Sequence, residues 1–127
     1  MNIVRMILAL RRTTVKFPVS TIVPAAVGSV TIAKDKNNNY VIDLKVEYLA
    51  NSNRLTPAKK CYVVWLMTSS GTNINQGMLV SNKKNKASFK SVSSIKPLQV
   101  FVTAEDAGDG SLPGNQELFR TEVLKLK

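Results

Sequence analysis

The sequence contains no histidine and a single cysteine, Cys61. Histidine is the commonest general base, metal ligand and pH switch, so its absence excludes the usual catalytic and metal-binding arrangements built on it. One cysteine can form neither an intramolecular disulfide nor a cysteine-based zinc site. Because Cys61 opens an apolar run, we expect a buried, unreactive thiol. These absences leave no residue set from which a cofactor would be predicted.

Acidic residues are scarce as well. Asp and Glu total 8 against 18 Lys and Arg, which gives a formal net charge of +10. Such an excess favours polyanionic partners such as anionic glycan, anionic lipid or nucleic acid. No aromatic RNA-binding strand motif and no DNA-reading helix accompanies the charge, so nucleic acid is the least favoured of the three. Because the basic residues are spread along the whole chain, an ordinary solvated basic surface is the preferred interpretation of the charge.

Long hydrophobic runs are also lacking, and no segment has the length of a transmembrane helix. The apolar run within residues 1–13 is too short for a membrane span and for a signal-peptide core, and Arg11 and Arg12 stand where a cleavage site should follow. We interpret this segment as a short helix, a remnant of a leader or the product of a misassigned start. Residues 14–127 are predicted to form a single domain.

Alternating apolar and polar residues predict an all-β fold for that domain. The run from Tyr40 to Leu49 places Tyr40, Leu44 and Tyr48 on one face and charged residues on the other. The run from Cys61 to Met67 is apolar on both faces, which predicts a central strand covered on both sides. Strands are predicted at about 28–33, 40–49, 61–67, 76–80, 87–92, 98–105 and 117–126, the last with a spacing that also allows a short helix.

These seven strands, with turn signals between them, are typical of an immunoglobulin-like antiparallel β-sandwich with an extended amino-terminal segment. Pro18 and Pro24 confine any strand before residue 27 to a sheet edge, because proline cannot donate to the ladder. Trp65 is predicted to be buried rather than to stack on a ligand. The predicted core consists of Ile32, Ile42, Leu44, Val46, Tyr62, Val64, Leu66, Phe89, Val100 and Val102.

Four motifs follow one another in the second half of the chain: Tyr62-x-x-Trp65-Leu66, Gly77-x-Leu79, Phe101-Val102-Thr103-x-Glu105 and Pro113-Gly114. Their order and spacing resemble the extracytoplasmic domain of anti-sigma-K-type factors, over roughly Gly28 to Leu124. The stretches Phe17-Pro18-Val19-Ser20, Pro24-Ala25-Ala26 and Lys36-Asn37-Asn38-Asn39-Tyr40 also look like small uncharacterised exported proteins of Bacteroidetes-type bacteria.

The resemblance implies an exported, periplasmic or secreted sandwich domain that acts as a sensing or interaction module. Anti-sigma factors of this type also have a cytoplasmic segment that grips the sigma factor and a membrane span before the sandwich. Only a few residues precede the first predicted strand here, so we do not expect sigma-factor inhibition to carry over.

The loop after the strand at 98–105 is acidic and rich in glycine. Glu105, Asp106 and Asp109 are a candidate calcium site, because calcium prefers several oxygen ligands. The alternatives are solvated turn residues and a pairing of Glu105 with a lysine of a neighbouring loop. No Gly-x-Ser-x-Gly elbow is present, and Ser93 and Lys96 match a Ser-x-x-Lys spacing only in a loop, so no enzymatic activity is predicted.

If every connection reverses the strand direction, successive loops alternate between the two ends of the sandwich. One end then carries the loops at 35–39, 69–75 and 93–97, with Lys34, Asp35, Lys36 and Lys96. The other carries the longer loops at 50–60, 82–86 and 106–115. We predict the interaction surface at this second end, because it combines long loops with dense mixed charge. Its residues are Arg54, Lys59, Lys60, Lys83, Lys84, Lys86, Asp106 and Asp109.

Three interpretations of function follow from the sequence. The leading one is a non-enzymatic module of the cell envelope that binds a protein or an anionic glycan. The second is a basic domain that binds polyanions such as glycan, lipid or nucleic acid. The third is a hydrolase with a noncanonical site, such as a Ser–Lys dyad.

Overall fold

The computed structural model of the protein describes residues 12–126, which form eight β-strands and one short 3-10 turn, Ser52–Arg54. The strands are β1 (Arg12–Lys16), β2 (Val27–Lys34), β3 (Tyr40–Glu47), β4 (Cys61–Met67), β5 (Asn73–Leu79), β6 (Ala87–Ser93), β7 (Gln99–Glu105) and β8 (Glu117–Arg120). No helix within the described residues is both long and apolar enough to cross a membrane.

The strands form two antiparallel four-stranded sheets, β1-β2-β3-β6 (sheet A) and β5-β4-β7-β8 (sheet B). The chain switches sheets after β3, β5 and β6, as in an immunoglobulin-like sandwich. The predicted fold class is therefore confirmed. β1 lies at the edge of sheet A, as expected of a segment that is followed by prolines.

The amino-terminal boundary differs slightly from the prediction. Most of the leader-like segment proposed for residues 1–13 lies outside the described residues. Arg12 and Thr13 belong to β1, where they pair with Ala33 and Ile32 of β2. The strand predicted at 117–126 is shorter, because regular pairing ends at Arg120, although the chain stays bonded to β7 beyond that point.

The main core lies between the two sheets and contains the residues that alternation predicted. Of these, Leu44, Val64 and Val100 have no exposed surface, and Phe89 packs against the cluster while remaining partly buried. Phe17 and Phe119 close one side of the sandwich, with ring centroids 5.1 Å apart. The burial of apolar surface between the sheets is the main source of stability for such a fold.

The alternation predicted for the strand at 40–49 is wrong at Tyr48. It was expected on the buried face, but β3 ends at Glu47 and Tyr48 is 65% exposed with φ of 59°. The left-handed backbone turns Tyr48 outward and directs the next side chain, Leu49, into the core, where it is fully buried. Leu49 therefore takes the core position that the pattern assigned to Tyr48.

Trp65 lies in a second, smaller cluster on the outer face of sheet B, together with Val63 and Phe101. It is 1% exposed, so its predicted burial is confirmed, although it lies outside the main core. The Trp65 and Phe101 rings stack with centroids 6.2 Å apart, and the guanidinium of Arg120 lies 4.0 Å above the Phe101 ring. The central strands β4 and β7 are thus covered on both faces.

The connection between β7 and β8 (residues 106–116) crosses this outer face as a strap. Asn75 of β5 donates hydrogen bonds of 2.9 Å to the carbonyls of Gly108 and Gly110. On the far side of β4, the N–H of Gly114 donates to Glu105 Oε2 at 2.8 Å. Since Trp65 is the β4 partner of Asn75 in the sheet, the strap passes over it between these two anchors.

Candidate functional site

Three connections meet at the predicted end of the sandwich, which we call the loop end: residues 48–60, 80–86 and 106–116. The N–H of Leu49 donates to the carbonyl of Asn85 at 2.8 Å, which joins the first connection to the second. The N–H of Lys60 donates to the carbonyl of Glu105 at 3.0 Å, and Lys59 Nζ lies 3.5 Å from Asp106 Oδ2. The structure therefore brings these loops together as the alternation of strand directions predicts.

The loop at 82–86 is held in one conformation by its own residues. Asn82 Oδ1 accepts hydrogen bonds from the N–H groups of Lys84 and Lys86 at 2.8 and 3.1 Å. The N–H of Asn82 donates to the carbonyl of Lys86, and Asn85 adopts a positive φ of 59°. Asparagine tolerates this conformation and caps such turns, so the sequence explains the loop directly. These bonds close the turn that carries the exposed lysines.

The predicted surface residues take different positions at this end. The side chains of Arg54, Lys60, Lys83, Lys84 and Asp109 are exposed, and none of them forms an ion pair within residues 12–126. Lys86 lies 3.9 Å from Glu47 of β3, a residue that the sequence did not associate with it. Of the predicted lysines, Lys59 pairs with Asp106, whereas Lys83, Lys84 and Lys86 lie at the same end without pairing with Asp106 or Asp109.

A cleft of about 150 Å³ opens at the loop end, between the 48–60 connection and the end of β5. Its walls include Lys60 and the apolar side chains of Met78 and Val80, which are 53% and 71% exposed. Met78 also fits closely against the strap, since a Cβ atom at Gly108 would lie 2.5 Å from its Sδ. Solvent-exposed apolar walls beside Lys60, which forms no ion pair within residues 12–126, suit a partner that is both apolar and acidic.

Tyr48 adds an exposed aromatic ring to the same end. A positive φ is uncommon for a bulky residue and costs about 1–2 kcal/mol relative to the ordinary conformation. Its backbone is held there because the neighbouring Leu49 is buried and bonded to Asn85. Tyr48, Met78 and Val80 were not among the predicted site residues, because the sequence placed all three within strands, whereas Tyr48 and Val80 lie just beyond the ends of β3 and β5.

Tyr62 ties the 48–60 connection to the core. Its side chain is buried, and its hydroxyl donates a 2.6 Å hydrogen bond to the carbonyl of Ala50. Burial raises the pKa of Tyr62 to about 12, because the phenolate would lose its hydration.

Stability should therefore fall at high pH through Tyr62. An unfolded tyrosine releases its proton near pH 10, whereas the folded one retains it to about pH 12. Over that window the folded chain binds more protons, so raising the pH lowers the free energy of unfolding. Denaturant titrations from pH 9 to pH 12 should show a steeper decline for the wild type than for Tyr62→Phe. Equal slopes in the wild type and in Tyr62→Phe would contradict this role of Tyr62.

The candidate calcium ligands do not converge. Glu105 Oε2 accepts hydrogen bonds from Thr103 Oγ1 at 2.5 Å and from the N–H of Gly114, while Asp106 pairs with Lys59. Within residues 12–126, no group of three or more Cys, Asp or Glu side chains is placed to hold a metal ion. Glu105 also forms no ion pair with a lysine of the described part of the chain, in contrast to the alternative that the sequence offered. Glu105 instead continues a chain of bonds from Trp65 Nε1 through Thr103, which fixes the strap.

Cys61 is half-buried at the start of β4, and its thiol lies 3.6 Å from the carbonyl of Glu105. Burial, and then the negative charges of Glu105, Asp106 and Asp109, raise the pKa of the Cys61 thiol. Because the thiolate is the reactive form, these surroundings oppose nucleophilic chemistry.

A thiol reagent should accordingly label Cys61 slowly at neutral pH in the native protein and rapidly after denaturant is added. With one cysteine in the chain, a mass shift reports on this residue alone. Equally fast labelling before and after unfolding would contradict the raised pKa.

The serine that best matched a Ser–Lys spacing is used structurally. Ser93 is buried, and its Oγ donates to the carbonyl of Ile95 and accepts from the N–H of Ile95. These bonds close a local turn after β6. Ser93 is therefore turned toward its own backbone and not toward Lys96.

No protein-family model matches the chain. A comparison with curated proteins likewise found no match. The resemblance to the extracytoplasmic domain of anti-sigma-K-type factors stays a prediction.

Proposed function

We propose that this protein is a non-enzymatic interaction module of the cell envelope, which binds an acidic segment of a partner protein at the loop end. The observation that carries the proposal is the combination of an exposed apolar cleft, lined by Met78 and Val80, with exposed lysines on the hydrogen-bonded 82–86 loop that follows the cleft along the chain. A partner segment would insert an apolar side chain into the cleft and place its carboxylates beside the lysines.

The composition of the loop end supports a protein partner in particular. Aromatic residues, Met and Arg are enriched in protein interfaces, and Tyr48, Met78 and Arg54 supply all three classes here. The exposed Tyr48 ring, held in an unfavourable backbone conformation, has the character of an interface anchor. An anionic glycan is the other partner that the charge of this end would suit.

The non-enzymatic part of the proposal is supported by the state of the reactive groups. Cys61 and Ser93 are occupied in structural bonds, and the sequence offers no histidine to activate either of them. The location in the envelope, periplasmic or secreted, is supported by the resemblance to exported sandwich domains.

Replacing Lys83, Lys84 and Lys86 together with glutamine should weaken partner capture without unfolding the protein. The side chains are exposed, so the free energy of unfolding should change by less than about 1 kcal/mol. The measurement is the amount of partner retained from an envelope extract of the source organism by the purified variant, relative to the wild type.

The matched control is the triple replacement of Lys34, Lys36 and Lys96 with glutamine, which removes the same charge from the opposite end. We expect this variant to retain the partner as the wild type does. Equal losses in both triple variants would mean that only net charge matters and would contradict a localised site. The general polyanion-binding alternative predicts a different result. The protein would then bind heparin, DNA and anionic liposomes as well as it binds the captured partner, and this binding would fall steeply with salt.

A further inference from the structure

The outer face of sheet A, on the side away from the core, is a basic surface that the sequence did not reveal. Pairing across the sheet aligns three rows of outward side chains, because directly opposed residues share a face. From β1 to β6 the rows are Arg12, Ala33, Val41 and Val92; then Thr14, Thr31, Asp43 and Lys90; then Lys16, Ser29, Lys45 and Ser88.

The centre of this face is a shallow trough of about 360 Å³. Its floor is β2, where the outward side chains of Ser29, Thr31 and Ala33 are small. Long basic side chains rise on either side, from Arg12 on β1 and from Lys45 and Lys90 beyond β2. None of these three cations belongs to an ion pair formed within residues 12–126.

The dimensions of the trough suit one extended polymer chain. Three strand spacings separate β1 from β6, which is roughly 14 Å, and the floor from Ser29 to Ala33 runs for roughly 13 Å. The hydroxyls of Ser29 and Thr31 on the floor can donate and accept hydrogen bonds, and Thr31 Oγ1 already lies 2.9 Å from Thr14 Oγ1.

We infer that this trough is a second binding surface, which holds a linear acidic polysaccharide along β2. The cations on both walls would neutralise carboxylate or sulfate groups on alternating sides of the chain, and the hydroxyls of the floor would bond to sugar hydroxyls. Single-stranded nucleic acid fits less well, because such sites stack bases on aromatic rings. Within residues 12–126, no aromatic side chain points outward from the four strands of sheet A.

The negative charge of Asp43 leads to a specific prediction about polysaccharide binding. Among residues 12–126, Asp43 is the only acidic residue lining the trough, and it lies opposite Lys90 in the sheet. Its negative charge repels an anionic ligand and attracts the neighbouring lysine. Removing that charge should therefore strengthen polysaccharide binding, whereas removing an acidic charge elsewhere should not.

The test uses the full chain and polygalacturonate oligomers as the probe, with affinity measured at low salt. The triple variant Arg12→Gln, Lys45→Gln and Lys90→Gln should bind at least about tenfold more weakly than the wild type. Asp43→Asn should bind about threefold more tightly. Each variant has a charge-matched control. The control for the triple variant combines Lys34→Gln, Lys36→Gln and Lys96→Gln, and the control for Asp43→Asn is Asp109→Asn. Both controls should keep the wild-type affinity.

Amide chemical-shift mapping with the same probe locates the contact independently of affinity. We expect the largest shifts at Ser29, Thr31 and their neighbours on β3. Shifts confined to the 82–86 loop, or an equal loss of affinity in both triple variants, would overturn the inference. Tighter binding of single-stranded DNA than of polygalacturonate in the same trough would overturn the assignment to a polysaccharide. Because the trough and the loop end are separate, failure here leaves the partner-capture result unaffected.

Discussion

Replacing Trp65 with alanine is expected to lower the free energy of unfolding by about 3–5 kcal/mol, the range for deleting a large buried aromatic side chain. Trp65 is 1% exposed and stacks on Phe101 under the strap. The change also removes its hydrogen bond to Thr103, at 2.8 Å, which continues to Glu105 and the strap. The strap should therefore loosen in addition to the overall loss of stability.

Urea denaturation followed by circular dichroism measures the first effect, and limited proteolysis within residues 106–116 measures the second. Trp65→Phe is the matched variant, because it retains an aromatic ring for Phe101 but loses the indole N–H. It should recover most of the stability while leaving the strap more sensitive to protease. A Trp65→Ala protein as stable as the wild type would mean that the outer-face cluster contributes little.

Leu44→Ala should destabilise the protein by about 2–4 kcal/mol through the cavity that it leaves in the main core. Leu44 is on β3, faces the opposite sheet and has no exposed surface. The control is Val92→Ala on neighbouring β6, a residue that is 60% exposed, and it should cost less than about 1 kcal/mol. Equal effects of the two changes would contradict the assignment of the inner and outer faces of sheet A.

The inner faces of the strands could be predicted because burial imposes a period of two. Leu44 and Val46 alternate with Asp43 and Lys45, and no other arrangement places the apolar set away from water. The pattern failed at Tyr48, where one residue in a left-handed conformation shifts the alternation. Tyrosine is not a residue that signals such a conformation, whereas Asn38 and Asn85 do and their loops were predicted correctly.

The three connections that share the loop end could be predicted from strand directions alone, since successive antiparallel connections alternate between the two ends. The side-chain contacts at that end could not be predicted in this way. Glu105, Asp106 and Asp109 are close in sequence and suggested one metal site, but Glu105 is bonded to Thr103 and Gly114 whereas Asp106 pairs with Lys59, so the carboxylates do not converge on one point. Lys86 likewise finds Glu47, which the pairing of β3 with β6 brings near it.

The trough on sheet A could not be predicted from the sequence either, because it also depends on which strands pair. Arg12, Lys45 and Lys90 are far apart along the chain and belong to no basic run. They share a face only because β6 returns to pair with β3, and because the register places Lys90 opposite Asp43 and Arg12 opposite Ala33. A shift of one residue in either pairing would turn these cations to the other face.

The central claim is that the loop end contacts a protein partner, and site-specific photo-crosslinking tests it most directly. Tyr48→p-benzoylphenylalanine places the reactive group at the loop end, and Ile95→p-benzoylphenylalanine places it on an exposed position in the connection at the opposite end. In cells of the source organism, irradiation should give a discrete protein adduct from position 48 and none from position 95. No adduct from position 48, or the same adducts from both positions, would contradict the account.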